Sequence, residues 1–274
     1  MPSADPAADV ALVARVLSRL GLVHAFGHVS ARASAGPVGG SAGPAGAVDS
    51  REHLVSGSAT LPLRGASQPE AGVPPAPTRQ AGSPPVASRT VLLTPTFPPL
   101  GEVAAGDVLE LDQAGRVLKG TAGVVPLEAP LHLGVYAARS DVGAVCRLHG
   151  PAVAAFAATG AGPPLLHGFG GMVEPVAFWD DPDLVTGEPG AAGVAAVLGT
   201  APAMLLAGNG GLTVGADLDQ ALARAWCLED RCRVALAVGG RGRPLAPEAL
   251  ARRRHWYEAE TARLARWLRH TAGP

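Results

Sequence analysis

A single mixed α/β or α+β domain interrupted by one long insertion is the fold class this sequence predicts. Segments of strand and helix character alternate along the chain without an internal repeat, and no dinucleotide-type glycine fingerprint follows a strand, which disfavours a doubly wound nucleotide-binding fold. Residues 33 to 89 are dominated by Ala, Gly, Pro and Ser, with scattered charges. That composition cannot bury enough apolar surface to offset its ordering entropy, so it predicts a disordered insertion. The other segments are residues 1 to 32, a first helix and the start of the domain; 90 to 240, its core; and 241 to 274, a basic C-terminal helix. With 274 residues, 47% of them hydrophobic, the chain has material for a well-buried core.

The elements follow in order. Ser3 or Asp5 can cap a first helix whose Val10, Leu12, Val13, Val16, Leu17 and Leu20 share one face before Gly21 stops it. LVHAFGHVSAR reads as a glycine turn entering a short strand, and REHLVSGSATLPL inside the insertion as a short hairpin. VLLT is a strand, and VLELD with QAGRVL a hairpin. PLEAPLHLGVYAARS carries Leu127, Leu131, Val135 and Ala138 at helical spacing, which sets Glu128 and His132, four apart, on one face. GAVCRLHG is a buried strand ending at a turn into helix PAVAAFAATG; a loop, PPLLHGFGG, and a weakly structured WDDPDLVTGEPG come next. Helix GVAAVLG, strand AMLLA, the turn GNGG and strand LTVG lead to a long helix capped by Asp217, and PEALARRRHWYEAETARLARWLRH is a last amphipathic helix.

Bulk properties narrow the partners. Lys plus Arg number 22 against 23 Asp plus Glu, a net charge of −1, which gives no argument for a nucleic-acid or membrane-surface partner. Cys146, Cys227 and Cys232 show no CxxC spacing, which argues against a disulfide framework or zinc knuckle and for a reducing compartment. The N-terminus lacks a basic start with an unbroken apolar core, and no stretch reaches the ~18 apolar residues of a membrane span, so a cytoplasmic protein is predicted.

Chemistry concentrates in a few places. On a strand, residues two apart project to the same face, so Arg147 and His149 share a side while Cys146 and Leu148 share the other. Taken alone, the stretch reads Arg147 as a strand-end surface charge and His149 as a satisfied loop histidine. Glu128 and His132 on one helix, and Asn209 in a glycine turn, complete a list of polar groups that a pocket could use.

FGHVSAR, VLLTP, GDVLELD, PLEAPLHLGVYAARSDVGAV, CRLHG and LLAGNGGLTVG, followed by a helix carrying LED, together resemble the class II aldolase/adducin family in order and spacing. That resemblance implies one α/β domain with a mixed, largely antiparallel sheet flanked by helices, a small-molecule substrate and a homotetramer. In the family's sugar-phosphate aldolases and epimerases three histidines bind zinc and an acidic residue serves as acid/base. Carried over, the acid is Glu128 and one ligand is His149, while Arg147 and Asn209 stand where the other two ligands would be. A permanent cation with no lone pair at one of these positions weakens the case for a zinc or iron ion. Arg147 instead can stabilise enolate-like charge or grip a substrate carboxylate.

The resemblance therefore implies a lyase working by aldol cleavage, epimerisation or decarboxylation of a small hydroxycarbonyl or keto acid. Glu128 carries the proton, and Asn209 donates to the same oxygen as Arg147. A competing version is a non-haem-iron oxidative decarboxylase of an aromatic keto acid, its metal held by His149 with His132 or His167 and Glu128. A third is a non-catalytic adducin-like binding module. The family also assigns substrate binding to the turn and the TP segment, here Gly27, His28, Ser30 and Thr94. Pro126 and Leu127 replace two hydroxyl residues of the family pattern, which favours a less charged, more apolar substrate than a sugar phosphate. In related aldolases a C-terminal tyrosine completes a neighbouring subunit's site, which makes Tyr257 or His255, on the last helix with Arg252, Arg253 and Arg254, the candidate for that role; the alternative is a solvated basic face with Trp256 and Trp267 packing on its other side.

Overall fold

The computed structural model describes residues 5–33 and 90–271. Apart from Ala33, the expected insertion and the hairpin within it lie outside the described residues.

Helix α1 spans Pro6–Arg19, and the Asp5 carboxylate caps it by accepting from the Ala7 amide at 2.9 Å. Strand β1, His28–Arg32, is followed by β2 (Val91–Leu93), β3 (Leu109–Leu111) and β4 (Val117–Lys119). Helix α2 (Ala129–Ala138), strand β5 (Ala144–Leu148) and helix α3 (Pro151–Ala157) come next. Strand β6 (Val176–Trp179), helix α4 (Glu188–Leu198), strands β7 (Ala203–Leu206) and β8 (Gly211–Gly215), and helix α5 (Leu218–Val238) complete the core. Helices α6 (Pro247–Arg253) and α7 (Tyr257–Thr271) close the described chain. None of these helices is long and apolar enough to cross a membrane.

The eight strands form one sheet in the order β4-β3-β2-β1-β5-β8-β7-β6, antiparallel except for the β6/β7 pair. Period-2 alternation sorts its side chains into two layers. Val29, Ala31, Ala144, Cys146 and Leu148 join a core built with α1, α3 and α5. Val145, Leu212 and Val214 face the other way and join Leu131, Val135 and Tyr136 of α2 with Val194 and Leu198 of α4. Arg147 alternates with Cys146 and so lies on the α2 side of the central strand, where no exposed surface remains to it. A fully buried arginine amid residues this apolar is costly unless it is paired, which directs attention to what meets it.

Two elements differ from the sequence expectation. β6 is a half-buried edge strand of four residues with no alternation, and it exists because its backbone pairs with β7. The expected single C-terminal helix is instead α6 and α7 joined by a tighter turn at Arg254–Trp256. On either side of that turn Leu250 and Tyr257 both seat against Gly171, where a β-carbon would collide with them. Trp256 and Trp267 remain half exposed or more, at 61% and 50%, so they do not form a buried face. Trp267 does stack edge-on against Trp226 at 6.3 Å.

Candidate active site

Three elements deliver polar side chains to one place. The central pairing of β1 with β5 sets His28 opposite Arg147 and Ser30 opposite Val145. Helix α2 adds Glu128 at its N-cap, His132 one turn on and Tyr136 a turn further, the i, i+4, i+8 positions of a single face. The sheet's α2 face and the helix's sheet face therefore meet along a polar strip within an otherwise apolar layer.

Its centre is an ion pair. Arg147 Nε lies 3.2 Å from Glu128 Oε2, with side chains 0% and 6% exposed. Arg147 Nη1 donates to the carbonyls of Leu148 and Gly211 at 3.0 and 3.2 Å, which anchors the guanidinium to both central strands. Arg147 Nη2 and Glu128 Oε1 have no protein partner, and neither do His28 Nδ1 and His132 Nε2. Buried polar atoms nearly always find partners, so four unpartnered atoms on and beside one ion pair set this strip apart as the candidate site.

The imidazoles around Arg147 are held neutral. Burial, then the nearby guanidinium, then His149 bring His28 down to about 3. Burial, Arg147 and His24 bring His149 to about 4. His132 is pushed well below the usual histidine range by burial first, then by His28 and Arg147. Burial also lowers Arg147 from its ordinary value, while Glu128 opposes the shift. The strip thus holds a compensated ion pair among neutral rings.

The other sequence candidates fall into two groups. A β-carbon on Gly210 would come within 3.3 Å of both Arg147 Nη1 and His149 Nδ1, so these two groups stay neighbours; Asn209 precedes that glycine in the turn, its amide donating to the Leu206 carbonyl at 2.9 Å. Gly27 has φ +124° and lies where a β-carbon would come 3.0 Å from the Arg147 carbonyl and press on Val23, which requires glycine at that approach. Ser30 and Thr94 are fully buried. Thr94 Oγ1 accepts from the Val29 amide at 3.0 Å, and Ser30 Oγ sits 2.7 Å from His132 Nδ1 and 2.8 Å from the Tyr136 hydroxyl. His167 and Tyr257 are engaged elsewhere: His167 Nε2 is 3.6 Å from Asp230 of α5, and the Tyr257 hydroxyl donates to the Gly168 carbonyl at 3.0 Å.

Sequence reading missed Tyr136, which looks like one more apolar position of α2. Only its i+4 spacing from His132 hinted at a shared role.

A divalent ion does not fit this donor set. Among the described residues no three His, Cys, Asp or Glu side chains are grouped so as to hold one. The guanidinium at position 147 offers no lone pair and repels a dication. The carboxylate that could have served as a ligand is already paired with it.

The model of the class II aldolase and adducin N-terminal domain matches residues 77–236. Among solved structures, L-fuculose 1-phosphate aldolase from Glaciozyma antarctica PI12 aligns at 18% identity and TM-score 0.68, over 97% of this chain and 87% of that one. An aldolase II superfamily protein from Pseudomonas syringae aligns at 16% identity and TM-score 0.67, over 98% and 95%. L-fuculose-1-phosphate aldolase from Thermus thermophilus gives 18% identity and TM-score 0.57, over 84% and 92%. At such identities these likenesses carry the fold alone. No curated protein sequence matches the chain.

Proposed function

We propose, starting from the fact that this chain belongs to the class II aldolase and adducin family, that it is a carbon–carbon lyase or related enolate-forming enzyme in which a fixed guanidinium stands in for a bound dication. Its substrate is a small hydroxycarbonyl compound or keto acid. The observation that carries this reading is the buried Arg147–Glu128 pair with one unpartnered donor, Nη2, and one unpartnered acceptor, Oε1.

In aldol cleavage, Glu128 Oε1 takes the proton from the substrate hydroxyl. The O–H electron pair becomes a carbonyl π bond, the carbon–carbon bond breaks, and its pair passes to the carbon beside the second carbonyl. The negative charge gathers on that carbonyl's oxygen, where Arg147 Nη2 donates to it. A cation aimed at developing charge inside a site that excludes water is worth far more than in solution. The proton on Glu128 then returns to carbon and closes the cycle. His28 and His149, partly exposed and neutral, stand beside Arg147.

Proton exchange into heavy water tests the reading without knowledge of the natural substrate. Pyruvate, dihydroxyacetone and dihydroxyacetone phosphate serve as probes, followed by proton NMR. At least one should exchange its C–H protons beside the carbonyl faster with the protein, with no effect of a chelator. Glu128→Gln should slow that exchange by about 10²-fold or more, the usual worth of a positioned general base. Exchange that a chelator abolishes and zinc restores contradicts the proposal. Complete burial of Arg147 supports a second reading, a binding module in which the ion pair simply fills the site; exchange with no probe at all favours it.

A homotetramer goes with the first reading. Phe26, Phe97 and Leu127, 74%, 72% and 72% exposed, stand within three residues of His28, Thr94 and Glu128, and support a subunit contact beside the site.

A further inference from the structure

Building on the lyase reading, we propose that His132 is a fixed hydrogen-bond donor to a substrate oxyanion, neither a base nor a metal ligand, because the hydroxyls of Tyr136 and Ser30 lock its proton onto Nε2. Each hydroxyl has a single proton to give, so the direction of donation along the chain can be counted.

Ser30 Oγ stands between two neighbours, the Tyr136 hydroxyl at 2.8 Å and His132 Nδ1 at 2.7 Å. All three residues are buried. If Nδ1–H donated to Ser30, the serine proton would go to the tyrosine oxygen, and the phenol proton would have no acceptor among the described residues. Run the other way, Tyr136 donates to Ser30, Ser30 donates to Nδ1, and every hydroxyl proton is used. Either direction leaves one buried donor unmade within the chain, the phenol in the first and Nε2–H in the second, but the first also leaves the Nε2 lone pair without a partner, so the second, with one orphan fewer, holds.

A neutral imidazole that accepts at Nδ1 carries its proton on Nε2. That atom has no protein partner. Its ring stands edge-on to His28 at 5.8 Å, and Arg147 is near enough to lower its proton affinity. His132 Nε2–H and Arg147 Nη2 are thus two unpartnered donors in one strip. They suit the two oxygens of a carboxylate or of an enediolate, the charge distribution the proposed reaction generates. A protonated Nε2 has no lone pair for a metal.

Long-range proton–nitrogen NMR correlation on the 15N-labelled full chain at pH 7 reads the tautomer directly, with His132→Gln identifying the signals among the eight histidines. The expected result is a pyrrole-type Nε2 and a pyridine-type Nδ1. In Ser30→Ala the preference should fall toward a mixture of the two forms. A wild-type Nδ1–H form or an even mixture overturns the proposal, as does a Ser30→Ala spectrum that keeps the wild-type pattern. The readout needs no substrate, so a failure of the exchange assay leaves it unaffected. A metal-shifted Nε2 would overturn both this inference and the lyase reading.

Discussion

Replacing Arg147 with alanine strands the Glu128 carboxylate in an apolar layer, and the cost of such a stranded charge is about 3–5 kcal/mol. Denaturant unfolding of Arg147→Ala should show a loss of that size. Arg147→Met combined with Glu128→Leu should recover most of it, because a buried pair replaced by well-packed apolar groups is close to neutral. A single variant as stable as the parent would mean that the pair at 3.2 Å does not exist in solution. At this scale the sequence disclosed Arg147, His149, Glu128 and His132, since period-2 and i+4 spacing are local. It could not disclose Ser30 beside His132 and Tyr136, residues 102 and 106 positions apart. Nor could it show that the Thr94 hydroxyl is already spent on the Val29 amide. Contacts across such separations depend on strand pairing that no local pattern encodes.

Helix α3 begins two residues after His149 and has no side-chain cap of its own; Gly150 occupies the N-cap. Its cap comes from α5. Both oxygens of Glu229, 6% exposed, accept from the first-turn amides of Ala152 and Val153 at 3.0 and 2.9 Å. A β-carbon at position 150 would collide with that carboxylate, which explains the glycine. Glu229→Ala removes two buried charge-assisted hydrogen bonds and should lower stability by roughly 3 kcal/mol, measured by chemical denaturation. A loss well under 1 kcal/mol would contradict the capping role. Element order and type were legible wherever apolar periodicity was long, as in α1 and α5. β6 was not, because only its pairing with β7 makes it a strand, and neither was the break at Arg254–Trp256, where no proline or glycine announces a change.

For the molecule as a whole, pH reports on the crowding of imidazoles around one guanidinium. In the fold His28 titrates at about 3 and His149 at about 4, against 6.5 for a free histidine. Between those values the unfolded chain binds protons that the folded one refuses. Their contribution to stability is therefore complete above about pH 6.5 and is lost progressively as pH falls from there toward the folded values. The urea midpoint should drop from pH 7 to pH 5, and His28→Asn should make that drop shallower. An unchanged slope in the variant would argue against the burial of His28 beside Arg147. The fold these groups occupy is that of an aldolase family, while the charge at its centre comes from the chain itself. Metal content of the full chain, purified with neither chelator nor added metal, tests that difference most directly, alongside Arg147→His combined with Asn209→His. Far less than one zinc or iron per chain is expected in the parent, and zinc uptake approaching about one per chain in the double variant as three nitrogen ligands are restored. One equivalent of zinc or iron in the parent, lost on His149→Ala, would contradict it.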